Sequence, residues 1–458
     1  GELFMESTVS KGRSAQASVQ ASGELKKTLG LVPALAIVVG MVIGSGVFFK
    51  PTAVFTATGA PGLGLIAWII GGIITICGGL TVAEISAAIP KTGGMLTYLE
   101  MTYGPVWAYL LGWAQTIIYF PATIAAQAII FATQAVSLLA ISDSLITPIA
   151  IAAMLFLIFM NILGSKTGGI IQTLATIGKL VPLFGIIAVG LMHDGGGVVR
   201  LVPITVMDHP FATSLGSALI GIMFAYDGWI NVGAIAGEMK NPGKDLPKAI
   251  VGGLSLVMGV YLLINVAYLF AMTAPELGAT PTPAADVANI LFGAGGGKLI
   301  TIGILVSIFG ALNGYIMTGM RIPYAMAAEN KLPFSEFFSK LHPKFGTPVN
   351  GGILLAAISV IMIFSGKFDQ LTDLVMFVIW IFYTMTFVSV FILRKTHPDL
   401  HRPYKVPLYP FVPIVGILGG AYIVINTIFT QPMNAGIGLA ITLTGLPVYY
   451  ARKSKFKN

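Results

Sequence analysis

Apolar stretches of about 17 to 30 residues recur along the chain from residue 31 onward, and short polar segments separate them. A helix needs roughly 20 apolar residues to cross a bilayer, so each stretch predicts a membrane-spanning helix. Membrane barrels instead need alternating segments of about ten residues, which these continuous runs do not resemble. The pattern predicts an all-α membrane protein with 12 transmembrane helices. The predicted spans are 31–55, 63–89, 106–136, 146–163, 170–192, 214–236, 247–272, 298–322, 349–365, 372–393, 408–429 and 434–451.

The composition agrees with a chain that lies mostly in lipid. Of its 458 residues, 56% are hydrophobic and only 10% are charged, whereas soluble domains carry about 25% charged residues. The single cysteine, Cys77, lies in an apolar run, so an intrachain disulfide is excluded and the side chain is predicted to be a small buried apolar group.

The positive charges predict the orientation in the membrane. With the N-terminus inside, 21 of the 26 Lys and Arg residues fall in cytoplasmic segments, and Lys179 falls inside the fifth span. The opposite side holds only Lys50, Arg200, Lys298 and Lys367. This bias predicts that both termini are cytoplasmic. Because the cations are scattered between apolar runs, the net charge of +8 indicates topology and not nucleic-acid binding.

The ends of the chain are polar. Residues 1–28 contain no apolar region typical of a signal peptide and are predicted to form a disordered cytoplasmic tail. The tetrapeptide before Met5 resembles a cloning remnant, and the sequence leaves its origin open. Residues 453–458 are predicted to form a second cytoplasmic tail, which leaves 29–452 as one membrane domain.

Two predicted spans, five helices apart, contain a break in helix-forming sequence. In the first span Gly44 and Gly46 flank Ser45, and in the sixth Asp227 stands beside Gly228. Each glycine lowers helix stability by about 1 kcal/mol, and non-helical backbone at membrane depth is tolerated only where it lines a cavity or is buried in protein. Paired breaks in two halves of a chain are typical of a substrate site at the membrane midplane.

Close helix packing is the alternative for the first break, since Gly40 and Gly44 also fit the small-xxx-small spacing. The second break favours the site. An unwound segment followed by a half-helix presents free N–H groups to a carboxylate, and a half-helix that ends presents free carbonyls to an ammonium. The two breaks therefore predict a site for a zwitterion.

These motifs resemble a known transporter superfamily. The runs 40–48, 224–229, 237–242 and 246–249 are similar to the amino acid-polyamine-organocation (APC) superfamily, and most similar to its L-amino acid transporter (LAT) family. The nearest resemblance is to bacterial serine/threonine and alanine-serine-cysteine exchangers, over about residues 26 to 452. It implies a LeuT-like fold of two inverted five-helix repeats (29–192 and 214–393) with two extra helices (408–451), and broken helices 1 and 6.

The resemblance also implies the residues of the site. The substrate carboxylate would meet the backbone amides of Gly44, Ser45 and Gly46, with the Ser45 hydroxyl as a further donor. The ammonium would meet carbonyls around Val42, Ile43, Phe224, Ala225 and Asp227. Phe224 would be an aromatic gate that closes over the substrate from outside; a packing aromatic is the alternative. No cofactor or metal is implied.

Lys179 is a cation inside a predicted span, where an unpaired ammonium costs several kcal/mol. In sodium-coupled members of the fold, cations bind where unwound carbonyls of the first helix face neighbouring helices. The resemblance implies that the lysine ammonium takes such a position permanently, linked to the first helix and to Tyr261, so that sodium is not required. The alternative is that Lys179 extends to the membrane interface, although it lies about nine residues into the span.

Other charged residues have two interpretations each. Asp227 either carries a proton coupled to transport or caps the second half of the sixth helix, and the cap is favoured. Glu84, Glu238, Lys240 and Asp245 are expected to form surface ion pairs or gate contacts.

The resemblance implies a sodium-independent exchanger of small neutral L-amino acids (alanine, serine, cysteine, threonine) in the bacterial plasma membrane, working by alternating access. Animal relatives attach a glycoprotein partner through a cysteine in the loop after the third helix; residues 137–146 contain none, so we expect no covalent partner and contacts with lipid alone. A proton-coupled symporter is the alternative. An enzyme is disfavoured because the five histidines lie in loops without metal-ligand spacing, and a channel because no polar stripe is visible.

Overall fold

The computed structural model describes residues 29–89, 94–231, 233 and 239–456. The predicted tail 1–28 and Glu238 lie outside the described residues. Within them the regular structure is helical, apart from one isolated parallel bridge between Leu29 and Met239. The architecture is therefore all-α, as the apolar pattern predicts.

The helices of the first half are α1 (Leu31–Val42), α2 (Lys50–Thr58), α3 (Pro61–Ala88), α4 (Met95–Tyr103), α5 (Pro105–Ala114), α6 (Phe120–Leu139), α7 (Ile146–Ile162) and α8 (Ser165–Leu191). Those of the second half are α9 (Phe211–Tyr226), α10 (Pro242–Ala271), α11 (Ala274–Ala279), α12 (Pro283–Gly319), α13 (Arg321–Ala328), α14 (Ser335–Phe338), α15 (Val349–Ser365), α16 (Phe368–Thr396), α17 (Phe411–Thr430), α18 (Pro432–Leu443) and α19 (Gly445–Arg452). Short 3₁₀ turns are formed by Ser45–Phe48, Asp143–Leu145, Val198–Leu201 and Lys453–Lys455, and a π-helical segment, Gln115–Tyr119, joins α5 to α6.

Eight helical stretches in the described part of the chain are long and apolar enough to cross a membrane. They are Pro61–Ala88, Pro105–Leu139, Asp143–Ile162, Ile170–Leu191, Pro242–Ala271, Pro283–Ala328, Phe368–Thr396 and Phe411–Thr430. Three further apolar helices, α1, α9 and α15, are shorter. All twelve predicted ranges overlap helices, and two of the three shorter apolar helices, α1 and α9, end at the predicted breaks.

The predicted breaks coincide with interruptions of the helices. In the first range α1 ends at Val42, the 3₁₀ turn Ser45–Phe48 follows, and α2 begins at Lys50. In the sixth range α9 ends at Tyr226. A third interruption, which was not predicted, lies at Gly293, where φ is +74° inside α12.

Small residues bring the long helices together. A Cβ added at Gly310 of α12 would lie 2.0 Å from Cβ of Ala175 on α8, and one at Gly178 would lie 2.6 Å from Val306. Close approach of this kind is how membrane helices gain packing where lipid removes the hydrophobic driving force between them. The contact packs α8, which carries Lys179, against α12.

Candidate substrate site

The two interrupted helices meet at Gly228. Its φ is +108°, and an added Cβ would lie 2.5 Å from the carbonyl oxygen of Met41, so glycine is required there both by conformation and by space. A Cβ at Gly46 would lie 3.1 Å from Cα of Ala225. The two unwound segments therefore lie against each other in the bundle.

The first segment presents backbone donors. Ser45 and Gly46 begin a 3₁₀ turn, and the first N–H groups of a helical turn have no acceptor within it. No hydrogen bond from either amide to another described residue is present. Beside them Gly44 adjoins open space, since a Cβ built on it would meet nothing within 4 Å. Free donors next to open space form a site suited to an anion.

One face of α10 holds both ends of the unwound segment. The hydroxyl of Tyr261 donates to the carbonyl oxygens of Val42 (3.3 Å) and Ala225 (2.7 Å), so it joins the two breaks. Two turns further on, the Tyr268 hydroxyl donates to Val47 O at 3.2 Å. Both rings are buried. Tyr268 was missed, although its spacing of seven residues from Tyr261 places it on the same helix face.

Lys179 contacts the same segment from α8. Its Nζ donates to the carbonyl oxygen of Ile43 at 2.7 Å. Lys179 and Tyr261 therefore bind neighbouring carbonyls, of Ile43 and Val42, and no hydrogen bond joins them directly. A carbonyl oxygen has two lone pairs, so each of these carbonyls can accept one further hydrogen bond.

Phe224 covers the other end of the site. Its ring lies against Gly46, where an added Cβ would come within 3.3 Å of Cδ1. It meets the ring of Phe368 edge-on, with centroids 5.8 Å apart. The Nζ of Lys50 lies 5.1 Å from the Phe224 centroid and 4.7 Å from that of Phe368, within the range of cation–π attraction.

Lys50 is fully buried, with 0% of the side chain exposed, and forms an ion pair that the sequence analysis missed. Its Nζ lies 3.0 Å from Asp369 Oδ1 and 2.6 Å from Thr372 Oγ1, both on α16. The prediction treated Lys50 only as a topology signal. The available clue was that Lys50, like Lys179, falls inside a predicted span, here 31–55.

Asp227 contacts two tyrosines from other helices. Its Oδ2 accepts the hydroxyl of Tyr119 at 2.5 Å, and its Oδ1 accepts the hydroxyl of Tyr383 at 3.1 Å. The predicted cap concerns the second half of the sixth span, of which residues 232 and 234–236 lie outside the described residues. The carboxylate is held chiefly by the tyrosines, which the sequence analysis did not connect to it.

Ser45 is also held by a residue that was missed. Its hydroxyl donates to Oε1 of Gln127 on α6 at 3.0 Å. In this arrangement the Ser45 proton is directed to the glutamine, and only the oxygen lone pairs remain for a substrate.

Glu84 anchors a cluster at the opposite end of the bundle from Lys50. It is 2% exposed, so the expectation of a surface ion pair is wrong for Glu84. Its carboxylate pairs with the guanidinium of Arg394, lies 3.9 Å from Arg402 Nε, and accepts the amide of Val406 at 3.0 Å. The phenol of Tyr404 donates to Leu80 O at 3.0 Å. Burial, and the negative charge of Glu84, raise the pKa of the Tyr404 phenol.

The remaining charged candidates are less constrained. Lys240 is exposed and Asp245 is half-buried in the first turn of α10. Neither forms an ion pair with another described residue.

The sequence profile of the family described as amino acid permease matches residues 29–449. This match covers both breaks, Lys179 and the Glu84 cluster. The chain belongs to the amino acid permease family, within the APC superfamily. It is 46% identical over 434 residues to the serine/threonine exchanger SteT of Bacillus subtilis (strain 168), covering 94% of this chain and 98% of that protein.

Animal transporters are also similar. The Asc-type amino acid transporter 1 of Mus musculus is 31% identical, over 93% of this chain and 81% of its own length. The human cystine/glutamate transporter is 31% identical over 97% of this chain and 91% of its own. The family and these relatives are transporters and exchangers of amino acids, so the permease is a membrane transporter and not an enzyme, and the predicted resemblance to this superfamily is confirmed.

Proposed function

We propose that this permease exchanges small neutral L-amino acids of the alanine, serine, cysteine and threonine class, without sodium, by alternating access. The observation that carries the proposal is the contact of the two breaks. Gly228 lies against Met41, and Tyr261 joins Val42 to Ala225. Backbone donors and acceptors converge there beside the open space at Gly44.

In this proposal the zwitterion is recognised by the main chain. The carboxylate binds the amides of Gly44, Ser45 and Gly46, at the positive start of the turn that leads into α2. The ammonium binds the carbonyls around the end of α1 and α9. Binding of this kind gives affinity for any amino acid, and the volume around the substrate side chain selects small ones. The carbonyl acceptors are those of Val42, Ile43, Phe224, Ala225 and Asp227.

Lys179 supplies the permanent cation. Its ammonium lies 2.7 Å from Ile43 O, at an unwound carbonyl of the kind that binds sodium in coupled members of the fold. A fixed cation at this position stabilises the unwound carbonyls in every step of the cycle. Transport then needs no sodium ion. Tyr261 couples the two breaks, because its hydroxyl bonds a carbonyl of each.

Phe224 and the Lys50–Asp369 pair form a gate at one end of the site. The Lys50 cation contacts Asp369, Thr372 and the rings of Phe224 and Phe368, and these contacts support a gate that is closed at this end. With the N-terminus inside, this is the extracellular end. Opening it requires Phe224 to leave Gly46 and Lys50 to leave α16.

The proposed topology is that of a LeuT-like transporter. Twelve crossings place both termini in the cytoplasm, with repeat one at 29–192, repeat two at 214–393 and two extra helices at 408–451, in the plasma membrane. The Lys and Arg bias supports the orientation, and the interruptions at corresponding positions support the repeats.

We propose that the protein acts without a covalent partner. A relative from Mus musculus, 33% identical over 95% of this chain, is named a small subunit of a transporter of large neutral amino acids. In this chain residues 137–146 lack a cysteine, so a disulfide to a partner subunit cannot form from that loop.

A proton-coupled symporter is the second candidate, and one observation favours it. Asp227 is a buried carboxylate in the second break, and its partners Tyr119 and Tyr383 carry exchangeable hydroxyl protons. Exchange is preferred because both carboxylate oxygens already accept hydrogen bonds from the protein.

Reconstituted liposomes test the proposal. Uptake of radiolabelled alanine, serine, cysteine and threonine is measured in sodium-free buffer, with and without the unlabelled amino acid inside. Each measurement is made at equal internal and external pH and again with an inward proton gradient. We expect uptake only when the vesicles contain amino acid. Concentrative uptake into empty vesicles driven by a proton gradient would replace exchange with symport, and no uptake of any of the four amino acids would reject the substrate class.

A further inference from the structure

One face of the third predicted span runs past both breaks. Tyr119, Thr123 and Gln127 are spaced four residues apart, so they lie on the same side of the helix. At one end Tyr119 contacts Asp227 of the second break, and at the other Gln127 contacts Ser45 of the first. Eight residues of helix span about 12 Å, so this face forms a wall of the space between the breaks.

In the middle of this wall, the Thr123 hydroxyl forms its hydrogen bond within the helix and not with the space between the breaks. Thr123 is fully buried, and its hydroxyl donates to the carbonyl of Tyr119 at 2.5 Å. Its hydrogen is therefore used within the helix. Tyr119 is likewise committed to Asp227. Of the three polar side chains on the wall, Gln127 is the one with bonding capacity left.

Gln127 is 2% exposed, and one half of its amide is occupied by Ser45. A glutamine amide can donate two hydrogen bonds and accept two. Within the described chain, the bond to Ser45 is the one that its side chain forms. A buried amide whose second half has no protein partner is suited to a polar group that arrives with the ligand, because leaving it unpaired is unfavourable.

We propose that Gln127 is a specificity-determining residue that forms a hydrogen bond with the side-chain hydroxyl of serine or threonine. This inference rests on the proposed function and adds the residue that recognises the substrate side chain. Ser45 bonds one half of the amide and so fixes its plane, and the other half faces the hydroxyl. A substrate with a methyl group in place of the hydroxyl leaves that half unpaired and binds more weakly.

Serine and L-2-aminobutyrate provide a matched pair of probes, because a methyl group replaces the hydroxyl at similar size. Both are tested as competitors of labelled alanine exchange in liposomes. We expect the wild type to prefer serine by about five- to tenfold, the worth of one buried hydrogen bond. Equal competition by the two probes in the wild type would overturn the proposal without any variant.

Gln127→Met keeps the length of the side chain and removes the amide. We expect it to lose the preference for serine while 2-aminobutyrate still competes. The matched control is Gln134→Met, which lies on the same helix face, is 1% exposed and has a buried Oε1 without a partner among the described residues. Because Gln134 lies seven residues, about 10 Å, beyond Gln127 and its contact with Ser45, the variant should keep the wild-type ratio. If Gln127→Met is not folded by size-exclusion chromatography, Gln127→Asn, which retracts the amide by one methylene, should reduce the ratio.

The outcomes distinguish a failure of the proposed function from a failure of the role of Gln127. A wild type that exchanges no amino acid contradicts the proposed function. A Gln127→Met protein that exchanges alanine and keeps the wild-type ratio of serine to 2-aminobutyrate contradicts only the role of Gln127. A ratio that also falls in Gln134→Met would show a general effect of the helix and equally contradict it.

Discussion

Lys179 Nζ lies 2.7 Å from the carbonyl oxygen of Ile43, and this contact joins α8 to the unwound part of the first helix. Val42 and Ile43 are both buried, so water does not reach their carbonyl oxygens freely. The Lys179 ammonium and the Tyr261 hydroxyl therefore donate the hydrogen bonds that these two carbonyls accept. The break is stabilised because the surrounding helices donate hydrogen bonds to its carbonyls.

Replacing Lys179 should slow transport without unfolding the protein. In Lys179→Ala the Ile43 carbonyl loses a charged donor, a contact worth about 10- to 100-fold in an equilibrium constant. We expect exchange in liposomes to fall by about that factor. Lys298→Ala is the matched control, since Lys298 is exposed on α12. Wild-type exchange in purified, monodisperse Lys179→Ala would remove Lys179 from the mechanism.

Asp227 should not carry a proton during transport. Because Tyr119 and Tyr383 occupy both carboxylate oxygens, we expect Asp227→Asn to reduce exchange by less than about tenfold, the worth of one hydrogen bond. The shape of the pH profile should be the same in both proteins. The measurement is alanine exchange across matched internal and external pH values. A pH-dependent wild type that becomes pH-independent in Asp227→Asn would support symport instead.

The charges of the gate should be exchangeable as a pair. Lys50→Asp alone or Asp369→Lys alone places like charges together at a buried position, and we expect either to abolish measurable exchange. The double variant restores one cation and one anion and should recover part of the exchange. Double-variant coupling of this kind isolates the pair.

The surface pair Lys331–Glu329, in which the glutamate side chain is 57% exposed, is the control for that cycle. Exposed pairs contribute about 0 to 1 kcal/mol, so reversing it should leave exchange and stability unchanged. A double gate variant no better than its parents would show that Lys50 and Asp369 do not act through their mutual charge.

Removing the Glu84 carboxylate should destabilise the end of the bundle opposite Lys50. Glu84→Gln leaves Arg394 and Arg402 without their anion, and breaking a buried pair in this way costs about 3 kcal/mol or more. We expect the Tm of the detergent-solubilised protein to fall by several degrees. Glu329→Gln serves as the exposed control. An unchanged Tm in Glu84→Gln would mean that the cluster contributes no net stability.

Local signals predicted the parts of the site that lie within one segment. The glycines around Ser45 and beside Asp227 predict both breaks, because helix propensity depends only on the residues of the segment itself. Lys179 is conspicuous because an ammonium in an apolar run needs compensation. The helices follow from the length of the apolar runs.

The missed residues depend on contacts between distant segments. Lys50 and Asp369 are 319 residues apart, Ser45 and Gln127 are 82 apart, and Asp227 and Tyr383 are 156 apart. No spacing rule connects such pairs. Glu84 and Arg394, 310 residues apart, are the same case. An interpretation limited to Glu84 and its neighbours favours a solvated face, whereas the fold buries it.

The central claim is that a fixed lysine cation replaces sodium, and the sodium dependence of exchange tests it most directly. Alanine exchange by the wild type is measured in liposomes with sodium, potassium or choline as the only monovalent cation on both sides. We expect equal initial rates in all three. Exchange that requires sodium would contradict it, because the carbonyls beside Lys179 would then need a mobile cation.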